Sequence, residues 1–415
     1  MNDYKDYIFT AAQRFLKYVK YDTQSDDKSE TIPSTANQKV LLEELMKELK
    51  DMGIESQMDE SGHIYAMIKS NTPKKIPTIG FLAHVDTSNA APGANINPII
   101  HKNYQGGNIV LPKDNVIIPF KDTRLKDMIG HDIITTDGST LLGADDKAGI
   151  AAIMDAANYF KKNPQVKHGN IAIAFTIDEE IGKGIDSFDP KKFGADYAYT
   201  IDGDDGRGTL SDETFSADFI TVKIYGIATH PGDAYKKMIN SIRLGAEFME
   251  KFPKDKLCPE ATKDREGFIH LSSIKGTEEC TEIEILLRDF DESKFKQYES
   301  IIKSYVEEIV QKYPGSEYKI ESQQQYRNMK KVVDKNPQVM EYAFEAIKRT
   351  GLEPKVIPCR GGTDGSNLSF RGIPTPNIYA AENSIHSRKE FLSVQELETT
   401  TKTIIELVKV WEEKS

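Results

Sequence analysis

Four short apolar segments in the first half of the chain alternate with segments of helical periodicity, and this alternation limits the possible folds more than any other feature. The strand-like segments are GHIYAMI (62–68), TIGFLAHV (78–85), NIAIAFTI (170–177) and DYAYTI (196–201). A helical stretch, KAGIAAIMDAANYFKK (147–162), lies between the second and the third. Alternating strands and helices form an α/β sheet with helices on both faces. We therefore predict a mixed sheet flanked by helices.

The pattern changes near residue 214, where a different order of elements begins. The segments are FITVKIYG (strand), NSIRLGAEFMEKF (helix), GFIHLSSIKG and CTEIEILLRDF (two strands), ESKFKQYESIIKSYVEEIVQKY (helix) and SEYKIESQQ (strand). The order β-α-β-β-α-β is the ferredoxin-like motif, which can close as a separate small domain. Helices and strands alternate again after residue 325. The sequence thus predicts a larger α/β domain from 1–213 and 326–415, interrupted by an inserted domain at 214–325.

Composition narrows the class of protein and its partners. The chain has 415 residues and a net charge of −11, which argues against nucleic acid because phosphates would be repelled. No apolar run approaches the roughly 20 residues of a membrane span. The first twenty residues have helical spacing and predict a docked helix, not a signal peptide. Three widely spaced cysteines suggest a reducing cytoplasm without a disulfide framework.

Three consecutive acidic residues, Asp178, Glu179 and Glu180, follow the apolar segment NIAIAFTI directly. A solvated acidic turn after a strand is one interpretation. A binding site is the other, because ligands of open α/β sheets bind at the carboxyl ends of the strands.

Other strand ends carry histidine or carboxylate as well. FLAHVDT supplies His84 and Asp86, LLGADDKAG supplies Asp145 and Asp146, YTIDGDDG supplies Asp202, and ENSIHSRKEF supplies His386. Singly, such a histidine is more often a hydrogen-bonded loop residue, and such an aspartate a turn former or helix cap. Together they are expected to converge on one crevice at the edge of the sheet.

The donor types of this set indicate a metal site. Imidazole nitrogen and carboxylate oxygen without thiolate suit zinc, with cobalt or manganese as alternatives. Two metals about 3.5–4 Å apart need a bridging carboxylate and a bridging water or hydroxide. A general base must reach that water without serving as a ligand. The adjacent Glu179 and Glu180 offer such a division: one carboxylate binds metal while the other faces the water.

A set of six motifs in this order resembles one known family across nearly the whole chain. The motifs are FLAHVDT, LLGADDKAGIA, FTIDEEIGKG, ATHPG, RGGTDGSNLSF with PTPNIY, and HSRKEF. They are similar to those of tripeptide aminopeptidases within the dizinc exopeptidases, the family that includes carboxypeptidase G and the aminoacylases. The resemblance implies a cytoplasmic enzyme that holds two Zn²⁺ per subunit, with Co²⁺ or Mn²⁺ as substitutes. Its implied reaction is release of the N-terminal residue from tripeptides by a metal-bridging water.

The resemblance also implies residue roles. Glu179 would be the general base, and Asp86 would orient His84. Asp145 would bridge the metals, and its choice over Asp146 rests on relatives that carry only the first aspartate. The ligand set implied by the family is His84, Asp145, Glu180, Asp202 and His386.

Substrate contacts are expected mainly from the inserted domain. By resemblance, Arg360 binds the peptide's C-terminal carboxylate, and an arginine among glycines can form such a bidentate clamp. Asn240 would bond the peptide backbone, while His230 in ATHPG would polarise the scissile carbonyl from a neighbouring subunit. This predicts a homodimer in which the inserted domain acts as lid and dimerisation domain. The alternatives are a turn histidine before Pro231 and, for RGGTDGS, a flexible loop, a helix start or a phosphate loop, although a Walker ending is missing.

The sequence departs from the family at GDDGRG, where Asp204 and Asp205 replace a more glycine-rich run and could alter the charge near the site. Two other functions remain open. Another exopeptidase or amidohydrolase, such as a dipeptidase or carboxypeptidase, would have the same site with different substrate contacts. A ligand-binding α/β protein without hydrolysis would bind no transition metal.

Overall fold

The computed structural model describes residues 4, 6–203 and 206–415, which form two compact units. The larger unit comprises the chain up to residue 212, with 329–357 and 363–415. The second comprises 213–328 and 358–362. The segment 358–362 therefore groups with the second unit, whereas the sequence interpretation placed it in the larger domain.

The helices and strands of the described residues are numbered in chain order. The α-helices are α1 (Ala11–Tyr18), α2 (Asn37–Asp51), α3 (Ala144–Lys162), α4 (Pro190–Phe193), α5 (Ser241–Met249), α6 (Phe295–Lys312), α7 (Lys330–Val333), α8 (Gln338–Arg349), α9 (Asp364–Phe370) and α10 (Val394–Lys414). The strands up to residue 211 are β1 (Glu55–Met58), β2 (Ile64–Ile68), β3 (Ile79–His84), β4 (Ile99–His101), β5 (Ile109–Val110), β6 (Ile117–Ile118), β7 (Ile133–Thr135), β8 (Ile171–Thr176), β9 (Tyr197–Gly203) and β10 (Thr209–Ser211). The remaining strands are β11 (Ser216–Tyr225), β12 (Phe268–Gly276), β13 (Cys280–Asp289), β14 (Glu317–Tyr326), β15 (Lys355–Val356), β16 (Asn377–Tyr379), β17 (Glu382–Asn383) and β18 (Phe391–Ser393).

The larger unit is built on a mixed sheet of eight strands, in the order β1-β2-β8-β3-β9-β16-β10-β15. Its centre, β8-β3-β9-β16, is parallel, while β2 joins β8 and β10 joins β16 in antiparallel fashion. Every residue of β3 and β8 is buried, as expected for parallel strands covered on both faces. Helices α3 and α8 both pack against α10, whose Trp411 lies in one buried cluster with Phe81 of β3 and Tyr199 of β9. The predicted mixed α/β class is confirmed.

The second unit has a four-stranded antiparallel sheet, in the order β12-β13-β11-β14. Successive side chains of β11 point alternately to the two faces of the sheet. Ile220, Val222 and Ile224 lie on the inner face and pack with α5 and α6 around a separate core. Along the chain the elements run β11, α5, β12, β13, α6, β14. This is the β-α-β-β-α-β order expected from the sequence.

Helix α2 begins later than its sequence motif suggests. Thr35 and Gln38 predict a capping box, but the helix starts at Asn37 with Ala36 in the cap position. The Thr35 hydroxyl instead donates to the Gln24 carbonyl at 2.8 Å. The side-chain amide of Gln38 donates to Asp178 Oδ1 at 2.7 Å. Tertiary contacts of these two side chains therefore replace the local cap.

Parallel pairing brings the functional strand ends to one edge of the sheet. The partner of His84, the last residue of β3, is Thr176, the last residue of β8. The acidic run 178–180 therefore starts beside His84. β9 lies on the other side of β3 and carries Asp202 near its end.

A substitution at Gly80 tests how closely Phe193 packs against β3. A Cβ there would collide with the ring of Phe193 and lie 2.9 Å from Ala195 Cβ. We expect Gly80→Ala to lower the free energy of unfolding by about 1–3 kcal/mol, as overpacking does. The control is Gly93→Ala, also buried, whose new Cβ would meet no atom closer than 3.4 Å and should change stability by no more than about 1 kcal/mol. Denaturant unfolding compares the two, and equal effects would contradict the close approach of Phe193 to β3.

Candidate metal centre

His84 is buried at the end of β3, and both ring nitrogens have defined neighbours. Nδ1 lies 3.0 Å from the Asp86 carbonyl oxygen and 3.4 Å from the Asp86 carboxylate. Nε2 lies 2.9 Å from Asp145 Oδ1 and 3.8 Å from Asp202 Oδ1. The side of the ring that faces the crevice is therefore presented to two carboxylates.

The Asp145 carboxylate lies between two imidazole rings. Its second oxygen, Oδ2, is 2.9 Å from Nε2 of His386. Asp145 lies in the first turn of α3 with a non-helical backbone, φ −80° and ψ 106°, two residues after Gly143 in the left-handed region. The turn into the helix thus directs the carboxylate to the crevice.

Glu180 lies on the His386 side of the site. Its Oε2 is 3.0 Å from His386 Nε2, whereas its buried Oε1 has no hydrogen-bond partner among the described residues. A buried carboxylate oxygen without a partner is costly unless a ligand satisfies it. This oxygen is a direct observation in favour of an additional ligand.

Two of the groups of potential metal ligands in the described part of the chain have one residue in common. One contains His84, Asp145 and Asp202, and the other contains Asp145, Glu180 and His386. Within each group the ligand atoms lie within 4.8 Å of one another. Asp145 is common to both, so the structure brings the five predicted ligands together around a shared carboxylate.

The Asp86 carboxylate holds the acidic turn rather than only the histidine. It accepts the backbone N–H groups of Glu179 at 3.0 Å and Glu180 at 3.1 Å. The closest contact from Asp86 to the His84 ring is made by its carbonyl oxygen. One residue therefore contacts the imidazole of His84 and also fixes the backbone of both glutamates.

Glu179 lies at this turn but belongs to none of the ligand groups among the described residues. The preceding Asp178 adopts a positive φ of 53° and is held by Ser34 and Gln38. Burial raises the pKa of Glu179 well above its usual value, and Asp202 contributes while His84 opposes. The carboxyl is thus located beside the ligands without being one of them in this arrangement.

The site concentrates buried carboxyl groups whose charge a cation would stabilise. Burial raises the pKa of Glu180 to about 7, and the neighbouring Asp145 adds to this effect. Burial lowers the pKa of His386, but hydrogen bonds to Asp145 and Glu180 outweigh it and raise the value to about 11. Without metal, the His84 and His386 rings are the partners of the Asp145 and Glu180 carboxylates, a position that a divalent ion would otherwise take. Histidine and carboxylate without thiolate fit zinc, cobalt or manganese.

The sequence patterns did not predict a third group of possible ligands or one further buried carboxyl, Asp364. Asp146, Asp202 and Glu382 also offer close oxygens, and the Asp146 carboxylate accepts the His84 backbone N–H at 3.3 Å. Asp364 is buried, with a pKa raised to about 7 by burial. Only the second aspartate of GADD pointed to any of these. Asp204 and Asp205 lie outside the described residues.

The three predicted substrate-binding residues lie in the second unit. His230 is exposed and its Nδ1 accepts the Gly232 N–H at 3.1 Å. Asn240 caps α5 by accepting the Ile242 N–H at 2.9 Å. The structure brings neither into a group of possible metal ligands among the described residues.

Arg360 is held by backbone carbonyls of its own unit. Its guanidinium donates to the carbonyls of Asp264 at 2.9 Å and Glu266 at 3.0 Å, and to the Thr262 hydroxyl at 3.2 Å. It also lies 5.1 Å from the Phe215 ring. A peptide carboxylate would have to share or displace these acceptors.

The sequence of this chain matches a known family over most of its length. The model of "Peptidase family M20/M25/M40" matches residues 135–410. Peptidase T of Caldanaerobacter subterraneus subsp. tengcongensis is 46% identical over 405 residues, which cover 97% of this chain and 98% of that protein. The chain belongs to peptidase family M20/M25/M40. It is therefore an enzyme and a peptidase, and the resemblance inferred from its motifs is confirmed.

Solved structures share the fold of this M20 peptidase. A tripeptidase from Staphylococcus aureus has a TM-score of 0.76 at 21% identity and covers 97% of this chain and 98% of its own. YXEP of Bacillus subtilis, described as a dinuclear metal-binding peptidase from family M20, has a TM-score of 0.63 at 14% identity, with 98% of both chains covered. At these identities the likeness concerns the fold.

Among the described residues, no helix is sufficiently long and apolar to span a membrane.

The raised pKa values predict how the metal-free protein responds to pH. A carboxyl whose folded pKa is raised contributes stability that is present below its unfolded pKa and lost as pH rises through its folded pKa. For Glu180 this window runs from 4.5 to about 7, and for His386 from 6.5 to about 11. The thermal midpoint of the metal-free protein should therefore fall on the order of 5 °C from pH 5 to pH 8.

Added zinc should raise that midpoint more at pH 8 than at pH 5, because deprotonated ligands bind metal. Calorimetry at both pH values, with and without zinc, measures this difference. A midpoint that is higher at pH 8 without metal would contradict the assigned charge balance.

Proposed function

We propose that this M20 peptidase is a dizinc aminopeptidase that releases the N-terminal residue of tripeptides. The observation that carries the proposal is the pair of ligand groups that share Asp145, with Glu179 beside them and outside both. The relative from Caldanaerobacter, similar along nearly the whole chain, bears the name Peptidase T and supports the choice of substrate.

In this proposal His84 and Asp202 would hold one divalent ion, Glu180 and His386 would hold the other, and Asp145 would serve both groups. Zinc is the first choice, and cobalt or manganese are substitutes with the same ligand preferences. Bound ions supply Lewis-acid polarisation of the scissile carbonyl and lower the pKa of the attacking water.

The remaining steps belong to side chains of this chain. The Glu179 carboxylate takes a proton from the attacking water and delivers it to the leaving amine, as a general base and then acid. Asp86 keeps Glu179 in place through the backbone N–H bond at 3.0 Å. The Asp86 carbonyl oxygen, 3.0 Å from His84 Nδ1, accepts a hydrogen bond from the Nδ1–H group. This tautomer leaves Nε2 of His84 free to bind metal.

Substrate selection is assigned to the second unit. His230 would stabilise the developing oxyanion, Asn240 would bond the peptide backbone, and Arg360 would bind the terminal carboxylate. His230 would act on the site of a neighbouring subunit, which makes the proposed enzyme a homodimer. All three cysteines lie within the described residues and none of them forms a disulfide bond, in line with the proposed cytoplasmic location.

A peptide panel tests the proposed reaction. A dipeptide, a tripeptide and a tetrapeptide built from the same amino acid are assayed for release of the first residue by the zinc-loaded protein. The N-acetylated form of the tripeptide is assayed alongside them. We expect the free tripeptide to be cleaved with the highest kcat/KM, and the acetylated one to be inert. Chelation should abolish turnover and zinc or cobalt should restore it. Preferred cleavage of the dipeptide, or release of the last residue, would instead identify a dipeptidase or a carboxypeptidase.

Substitutions at the two adjacent glutamates should have different consequences. Glu179→Ala should retain two metals and lose about 10²–10⁴-fold in kcat, because the general base is removed. Glu180→Ala should lose metal, because a ligand is removed. Metal analysis after dialysis and steady-state kinetics distinguish the two. The reverse pattern, with metal lost only from Glu179→Ala, would show that the two roles are exchanged.

A composite site predicts complementation between subunits. His230→Ala and Glu179→Ala should each be nearly inactive as pure dimers. When they are unfolded and refolded together, one site of each mixed dimer combines an intact Glu179 with an intact His230, so activity should partly return. His270→Ala, a histidine substitution on β12 of the same unit, is the control and should remain active alone. Differently tagged chains establish that mixed dimers form, and an inactive mixture would show that His230 serves its own chain.

A further inference from the structure

Glu390 is a buried carboxylate that lies four residues after His386 and directly before β18. Its side chain is 1% exposed. Oε2 accepts the backbone N–H groups of Leu142 at 2.6 Å and Gly143 at 2.8 Å, and Oε1 accepts those of Ala144 at 2.7 Å and Asp145 at 3.2 Å. Four successive amides of the segment 142–145 therefore share one carboxylate.

The backbone of this segment is shaped so that its amides converge. Gly143 has a φ of 74°, which residues with a Cβ seldom adopt, and a Cβ there would lie 3.2 Å from Thr87 Cγ2. The amides of Ala144 and Asp145 belong to the first turn of α3, where no helical acceptor exists. An ionised carboxylate makes stronger bonds to such amides than a neutral acceptor does.

Glu390 and His386 contact the same residue from two directions. The His386 ring meets the Asp145 side chain, while Glu390 binds the Asp145 backbone. Hydrogen bonds within the loop hold it in place. The Glu390 N–H donates to the Ser387 carbonyl at 3.3 Å, and the Ser387 hydroxyl donates to the Ser384 carbonyl at 2.6 Å. The carboxylate therefore fixes the separation between two proposed ligands that are 241 residues apart.

We propose that Glu390 is a positioning residue for the metal centre, which holds the Asp145 segment at the distance from His386 that two bound ions require. This inference rests on the proposed dizinc function. It assigns to Glu390 no contact with metal or substrate.

Glu390→Gln tests the role with little change of shape. The amide offers one acceptor oxygen and turns an N–H₂ group toward two backbone N–H donors, so two of the four bonds are lost. Glu390→Asp retains the charge and both oxygens but withdraws them by one methylene. The matched control is Asp155→Asn, on the same helix α3 whose first amides Glu390 binds. Asp155 is buried and its carboxylate accepts the backbone N–H groups of Thr10 at 3.0 Å and Ala11 at 3.1 Å, away from the centre.

Five measurements separate positioning from general stability. Circular dichroism and thermal unfolding of the metal-free variants report the fold. Competition with a zinc chelator reports affinity, and the visible spectrum of the cobalt-loaded full-length protein reports ligand geometry. Steady-state kinetics on a tripeptide give kcat and KM separately.

We expect Glu390→Gln to fold, to bind zinc about 10–100-fold more weakly, and to change the cobalt spectrum, as loss of a residue behind a ligand typically does. Glu390→Asp should show a smaller change of the same kind, and kcat should fall more than KM rises. Asp155→Asn should lower the thermal midpoint and leave affinity and spectrum unchanged.

Wild-type zinc affinity and cobalt spectrum in folded Glu390→Gln would overturn the inference. The same result in Glu390→Asp would do so if Glu390→Gln does not fold. Equal losses in Asp155→Asn would also overturn it, because the effect would then follow stability alone. Absence of metal binding by the wild-type protein would instead contradict the proposed function.

Discussion

The parallel pairing of β3 with β8 and β9 is the constraint on which the site depends. Because His84 and Thr176 are register partners, the last side chain of β3 and the turn after β8 meet at one edge of the sheet. Asp202 joins them from β9 on the other side. A shift of one residue in β3 would turn His84 to the opposite face. The buried apolar residues of these strands thus determine the geometry of the polar site.

The site is stabilised by a second layer of buried carboxylates. Asp86 binds the backbone of Glu179 and Glu180, Glu390 binds the backbone before Asp145, and Asp178 binds Ser34 and Gln38. Each of them satisfies amide or hydroxyl donors, which offsets the free energy of burying a charge. Glu180, by contrast, retains a buried oxygen without a partner among the described residues. Glu180 therefore differs from these supporting carboxylates in having an oxygen available to a ligand.

The sequence predicts the α/β sheet and the β-α-β-β-α-β order. It also predicts that His84, Glu180 and Asp202 meet, because the ends of the parallel strands β3, β8 and β9 converge. Asp145 and His386 lie outside these strand ends and join the expected ligand set through the family resemblance. The sequence does not predict the partners of Glu390, since those bonds join segments 245 residues apart and leave no local periodicity. The cap expected at Thr35 fails for the same reason, because a long-range bond to Gln24 competes with the local motif. The carbonyls around Arg360 likewise come from a distant loop, so its place among glycines gave no sign of them. Residues whose partners are backbone atoms of remote segments are therefore the ones that sequence patterns miss.

The central claim is that Asp145 joins two divalent ions, one on each side. Anomalous diffraction from crystals of the zinc-loaded protein, recorded above and below the zinc absorption edge, tests it most directly. We expect two peaks about 3.5–4 Å apart, one beside His84 and Asp202 and the other beside Glu180 and His386, with the Asp145 carboxylate between them. A single peak, or two peaks that do not share Asp145, would contradict it.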